Sequence, residues 1–126
     1  MTAPCLLFVE DEVLIQIVAE EELKLQGFDV VVAGTAKAGL DAAQAPGAEF
    51  AAAIIDIGLP DRGGDSLAAD LRAQWASLPI LIVSGYDQDV MGGKFAGDPL
   101  VKFVRKPYRS PQLLAALAAV NVMPPK

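Results

Sequence analysis

The stretch Ala51-Ala52-Ala53-Ile54-Ile55-Asp56-Ile57-Gly58-Leu59-Pro60 decides the fold. Three alanines and two isoleucines run without a polar break into a carboxylate, and Gly58 and Pro60 then end any regular structure. A run this short and this uniformly apolar, bounded by turn residues, reads as a strand buried on both faces. That is the pattern of a parallel sheet covered by helices above and below. Asp56 is the informative residue of the run, because a carboxylate at its end is partly desolvated unless it has a partner.

Working outward, four more runs of the same kind occur at Cys5 to Val9, Asp29 to Ala33, Ile80 to Ser84 and Leu100 to Val104. The segments between them are long enough for crossover helices. From Glu12 to Gln26 the residues Leu14, Ile15, Val18, Ala19 and Leu25 recur at helical spacing, with Gly27 placed to end the helix. Thr35 is the expected N-cap of a second helix through about Gln44, closed by Pro46-Gly47. A third helix is expected from Gly64-Asp65-Ser66, burying Leu67 and Leu71 and finishing near Trp75. Ser110 as N-cap and Pro111 at the first helical position open a last helix, with Leu113, Leu114, Leu117 and Val120 on one face. Between Asp87 and Pro99, Gly92, Gly93 and Gly97 each disfavour helix by about 1 kcal/mol relative to alanine, so a helix there should be short or mobile. Strand and helix alternate five times with no interior linker, which makes the fold class α/β, a doubly wound sandwich.

At 126 residues the chain has the size of one domain, and 53% hydrophobic residues suffice for its core. A net charge of -6 argues against nucleic acid as a partner, since phosphates reward clustered Lys and Arg. The absence of histidine removes the commonest metal ligand and the commonest base. The single Cys5 reads as a small buried hydrophobe. The start Met1-Thr2-Ala3-Pro4-Cys5 lacks a basic leader, and no apolar run approaches the roughly 18 to 20 residues of a membrane span, so a cytoplasmic protein is expected.

In open α/β sheets ligands bind beyond the carboxyl ends of the strands. Those loops carry Glu10, Asp11 and Glu12 after the first strand, Asp56 at the end of the third, Ser84-Gly85-Tyr86 after the fourth and Lys106-Pro107-Tyr108 after the fifth. Crowded carboxylates call for a cation, and oxygen ligands suit a hard one, so Mg²⁺ is expected with Asp11 and Asp56 as direct ligands and Lys106 as a second point charge. Such a site suits phosphoryl transfer, in which a carboxylate can serve as the nucleophile and form an aspartyl phosphate.

In this order the motifs resemble the receiver domain of bacterial two-component response regulators, over nearly the whole chain. Val9-Glu10-Asp11-Glu12 resembles the acidic pair after the first strand, and Asp56 with Gly58-Leu59-Pro60 and Gly64 resembles the phosphoacceptor strand and its loop. Ser84 matches the switch hydroxyl, Lys106-Pro107 the lysine-proline pair and Phe103 the switch aromatic. The resemblance implies a flavodoxin-like (βα)5 sandwich with a five-stranded parallel sheet of order 2-1-3-4-5 and helices on both faces. One receiver is expected over residues 1–126, with a core of about 4–120 and a short tail at 121–126; its length suits a stand-alone receiver, and the alternative is that Asn121 to Lys126 opens a linker in a parent protein. Asp56 would accept a phosphoryl group from a sensor histidine kinase or histidine phosphotransfer protein. Mg²⁺ would be held by Asp11, Asp56 and the backbone carbonyl of Gly58, with Glu10 acting through water. Ser84 and Lys106 would bind phosphate oxygens, Phe103 would turn inward, and a cis Lys106-Pro107 bond is implied. Gly58 and Tyr86 occupy the positions that tune phosphate lifetime, and Ser84-Gly85-Tyr86 is also similar to a Gly-Tyr pattern in single-domain receivers of the general stress response.

The expected output is binding to a downstream protein target, or handing the phosphoryl group on, by a monomer or weak phosphorylation-dependent dimer, with no DNA-binding segment after Val120 and no membrane partner. Two other readings are an aspartyl-phosphate phosphohydrolase and an unphosphorylated pseudo-receiver. The hydrolase reading is opposed by the absence of a second acid two residues after Asp56, where Gly58 stands. On the first helix, Ile17 and Leu23 lie off the expected buried stripe and read either as peripheral core or as a candidate docking face for the kinase.

Overall fold

The computed structural model describes residues 3–85, 95 and 97–124. Five strands, β1 (Cys5–Val9), β2 (Asp29–Ala33), β3 (Ala52–Asp56), β4 (Ile80–Ser84) and β5 (Val101–Arg105), form one sheet in the order β2-β1-β3-β4-β5, with every pairing parallel. Helices α1 (Val13–Leu25), α2 (Ala36–Gln44), α3 (Gly64–Gln74) and α4 (Ser110–Ala119) connect and cover them. The expected fold class and strand order are therefore observed.

Alternate residues of the central strands feed two cores. Leu6, Phe8, Ile54, Leu81 and Val83 pack with Ala19, Leu23, Leu113 and Leu117 from α1 and α4. Leu7, Val9, Ile55, Ile80 and Ile82 pack with Ala36, Ala43, Leu67 and Leu71 from α2 and α3. β3 and β4 are buried along their whole length, as their uninterrupted apolar runs require. The edge strand β2 alternates between exposed and covered residues instead. Because α1 and α3 leave the sheet on opposite faces, the connections after the adjacent strands β1 and β3 part at their carboxyl ends.

The helix ends follow their local chemistry with one shift. Thr35 caps α2, its hydroxyl accepting the Ala38 N–H at 3.0 Å. Gly27, at φ 105°, ends α1 in the left-handed conformation, with Phe28 N–H donating to the Leu23 carbonyl and Gly27 N–H to that of Lys24. The N-cap of α4 is Arg109, one residue before the expected Ser110. Gln112 folds back so that its side-chain oxygen accepts the Arg109 N–H, and Ser110 is taken into the helix. At the other end of α4, Asn121 at φ 64° and Val122 N–H, donating to Leu117, repeat the closure, and Val122 is buried against the first core.

The expected stripe of α1 is corrected. Leu14, Val18 and Leu25 are exposed, whereas Leu23, read as peripheral, is completely buried. Ile15, Ala19 and Leu23 form the inward row at i, i+4 spacing. The small Ala19 carries little weight in a hydrophobic pattern, which is why the row is hard to see beside the larger Leu14 and Val18. Most of the segment Asp87 to Pro99, expected to hold a short helix, lies outside the described residues. No helix among the described residues is long and apolar enough to cross a membrane.

Candidate functional site

The carboxyl ends of β1, β3, β4 and β5 bring the sequence-selected residues to one rim. Glu10 follows β1 directly, and its N–H donates to the Ala33 carbonyl at 2.9 Å, so its backbone still belongs to the sheet and its side chain is 1% exposed. Glu10 Oε2 accepts the Glu12 N–H at 3.1 Å, and the side-chain amide of Gln16, one turn into α1, donates to the Glu10 carbonyl. Asp56, the last residue of β3, is 5% exposed. Its Oδ1 accepts the Gly58 N–H at 3.3 Å, and its Oδ2 lies 3.0 Å from Lys106 Nζ. The same ammonium is 3.5 Å from Glu10 Oε1. Lys106 N–H donates to the Ser84 carbonyl at 2.8 Å, which joins the ends of β4 and β5, and the Lys106-Pro107 bond is cis.

One carboxylate oxygen from each of Glu10, the exposed Asp11 and Asp56 lies within 4.8 Å of the other two. Three carboxylates against one lysine leave a formal charge of two negative when all are ionised, and the donors are all oxygen. A hard dication fits both the donor chemistry and the charge deficit. Burial is the main reason that the Glu10 carboxyl is pushed up to about 7; the Asp56 charge adds to this, while the Glu12 N–H and Lys106 oppose it. Burial works against the Lys106 charge, but hydrogen bonding and attraction to Asp56 and Glu10 raise its pKa on balance. Tyr108, at the pocket edge, is raised by burial and then by the charges of Glu10, Asp56 and Glu12, and its phenol stays protonated.

Ser84 ends β4 and is buried beside these groups. Phe103 lies opposite Ile82 on β5, half-buried against the second core. Tyr86 lies outside the described residues. Gly64 has a positional reason not apparent in the sequence: a Cβ there would stand 2.1 Å from the Asp56 carbonyl oxygen, and its N–H donates to Ile57 at 2.9 Å. Gln16 and Asp61 also serve the rim without having been singled out. Each is an ordinary polar residue in its own segment, and only the fold shows what it reaches.

A doubly wound sheet with an acid-and-lysine pocket at its switch point defines a class of α/β signalling domain. The chain belongs to the response regulator receiver domain family, whose model matches residues 6–118, and it is thus a phosphorylation-dependent signalling module of the two-component type. It is 27% identical over 107 residues to the sensor kinase CckA of Brucella abortus, covering 85% of this chain and 11% of that protein. The chain spans between 9% and 48% of the length of the curated relatives it matches first. A CheY-like receiver domain protein from Methanospirillum hungatei superposes with a TM-score of 0.79 at 26% identity, over 93% of this chain and 92% of that one. The response regulator TrrA of Thermotoga maritima, solved in complex with Mg(2+)-BeF, shares the fold with a TM-score of 0.78 at 21% identity, over 93% and 98% of the two chains.

Proposed function

We propose that this chain acts as a receiver that accepts a phosphoryl group on Asp56 from a phosphohistidine of a sensor kinase or phosphotransfer protein. The observation that carries the reading is the contact of Lys106 with Asp56 Oδ2 at 3.0 Å inside a cluster of three carboxylates. A carboxylate oxygen of Asp56 attacks phosphorus, the bond from phosphorus to the donor imidazole breaks, and the imidazole leaves as an acyl phosphate forms. Mg²⁺ would supply charge neutralisation when bound, and Asp11, Asp56 and the Gly58 carbonyl would hold it, with Glu10 acting through water. Lys106 then exchanges its contact with Asp56 for a phosphoryl oxygen, and the Ser84 hydroxyl donates to another. Phe103 turns inward, and a protein-binding surface changes. Gly58 and Tyr86 hold the two positions at which receivers tune the lifetime of the acyl phosphate. The output is a protein partner met in the cytoplasm, with a monomer or a weak phosphorylated dimer as the acting form.

Intact mass after incubation with acetyl phosphate and Mg²⁺ tests this. Wild type gains one phosphoryl group and Asp56→Asn gains none; a gain that persists in Asp56→Asn overturns the assignment. Beryllium fluoride, an acyl-phosphate mimic, should shift resonances at Ser84 and Phe103, and silence there counts against the switch.

A further inference from the structure

Ile57 N–H continues the sheet with a 2.9 Å bond to the Val83 carbonyl, and beyond it three further ties of the loop after β3 bear on its position. Gly58 N–H bonds Asp56 Oδ1 at 3.3 Å, and Gly64 N–H bonds the Ile57 carbonyl at 2.9 Å. Both of these ties are internal to the segment. The third is Asp61, whose Oδ1 accepts the Ala36 N–H at 2.9 Å and whose Oδ2 accepts the Lys37 N–H at 2.9 Å. The first turn of α2 is thus satisfied by two side chains from different elements: Thr35 takes the Ala38 N–H, and Asp61 takes the two before it. Those two N–H groups lower the Asp61 pKa, so the carboxylate stays charged at the positive end of α2. Thr35 satisfies one N–H group of this turn and Asp61 two more, and the same bidentate bridge acts on the loop, which it fastens to a helix rooted in the second core by Ala36 and Ala43.

We propose that Asp61 is a positioning residue for the phosphoacceptor loop, holding residues 57–61 against α2 so that the Gly58 carbonyl is presented to the divalent cation that Asp11 and Asp56 bind. The inference rests on the receiver reading above. Groups that orient metal ligands typically change affinity or rate by about 10- to 100-fold when removed. Because Asp61 acts through a loop that Leu59 also anchors in the core, the low end of that range applies.

The test measures Mg²⁺ affinity by calorimetry and the rate of phosphoryl gain from acetyl phosphate in the full chain, for wild type, Asp61→Ala, Asp61→Asn and Thr35→Ala. Asp61→Ala is expected to weaken Mg²⁺ binding by about tenfold and slow phosphorylation in proportion. Asp61→Asn, which keeps one acceptor oxygen, recovers part of both. Thr35→Ala removes a cap from the same helix without releasing the loop, so it lowers melting temperature but keeps wild-type Mg²⁺ affinity. Equal Mg²⁺ affinities in Asp61→Ala and Thr35→Ala, or wild-type affinity in Asp61→Ala, overturn the positioning role while leaving the receiver reading intact. A wild type that neither binds Mg²⁺ nor takes a phosphoryl group overturns the receiver reading, and the role of Asp61 falls with it.

Discussion

Glu10 is where the pocket's electrostatics are most exposed to experiment. Its carboxyl is nearly out of water and shares a single ammonium with Asp56, so its pKa stands at about 7 against an ordinary 4.5. The folded protein therefore holds a proton that the unfolded chain has already released between those two values. Stability must fall as pH rises through that window. Urea unfolding in the presence of a chelator should show a midpoint that declines from about pH 4.5 to about pH 7. Glu10→Gln, which has nothing to titrate, should flatten that decline, and an unchanged slope would remove Glu10 as its source. The identity of the acids was legible in the chain because each follows a strand-like run. The protonation of Glu10 was not, since it depends first on how completely the fold buries its carboxyl and then on Asp56 and Lys106, which lie far along the chain.

Helix α1 divides into a row that holds the fold and a face that does not. Leu23 is completely buried beside Phe28, whereas Val13, Leu14, Ile17 and Val18 are more than half exposed. A groove of about 860 Å³ runs between this helix and the Pro107 to Pro111 segment, with Leu14, Ile15, Val18 and Tyr108 in its wall. Four large apolar side chains left in solvent on one helix suit a surface that another protein covers. Ile17→Gln should leave the urea midpoint within experimental reach of wild type, because exposed substitutions usually stay within about 0.5 kcal/mol. It should slow phosphotransfer from a histidine kinase that phosphorylates wild type. Leu23→Ala should instead lose about 2 to 5 kcal/mol of stability. Unchanged transfer kinetics in Ile17→Gln would remove the docking face. The pairing of Ile17 with Leu23 failed because periodicity reports that a helix has an apolar side but not its phase when apolar residues occur all round it.

At the scale of the whole molecule, metal binding and folding are one equilibrium. A ligand held only by the folded state stabilises it by about 2.7 kcal/mol at a free concentration of one hundred dissociation constants. For a chain of this length that corresponds to roughly 10 °C in melting temperature. Trp75, the only tryptophan, packs against the second core beside α3, so its fluorescence follows global unfolding. Melting in excess Mg²⁺ and in chelator should differ by that order, with the difference much reduced in Asp11→Asn; coincident curves would sink the metal site. The sequence by itself determined the succession of strands and helices, the turn residues between them and the acids, hydroxyl and lysine at the strand ends, because each is written in a few neighbouring residues. Only the tertiary structure decided that Leu23 rather than Leu14 enters the core, that Gly64 must pass within contact of the Asp56 backbone and that Asp61 bridges to α2. Those outcomes depend on which surfaces the sheet brings together, and distances across a fold are not encoded in the spacing of residues along a chain.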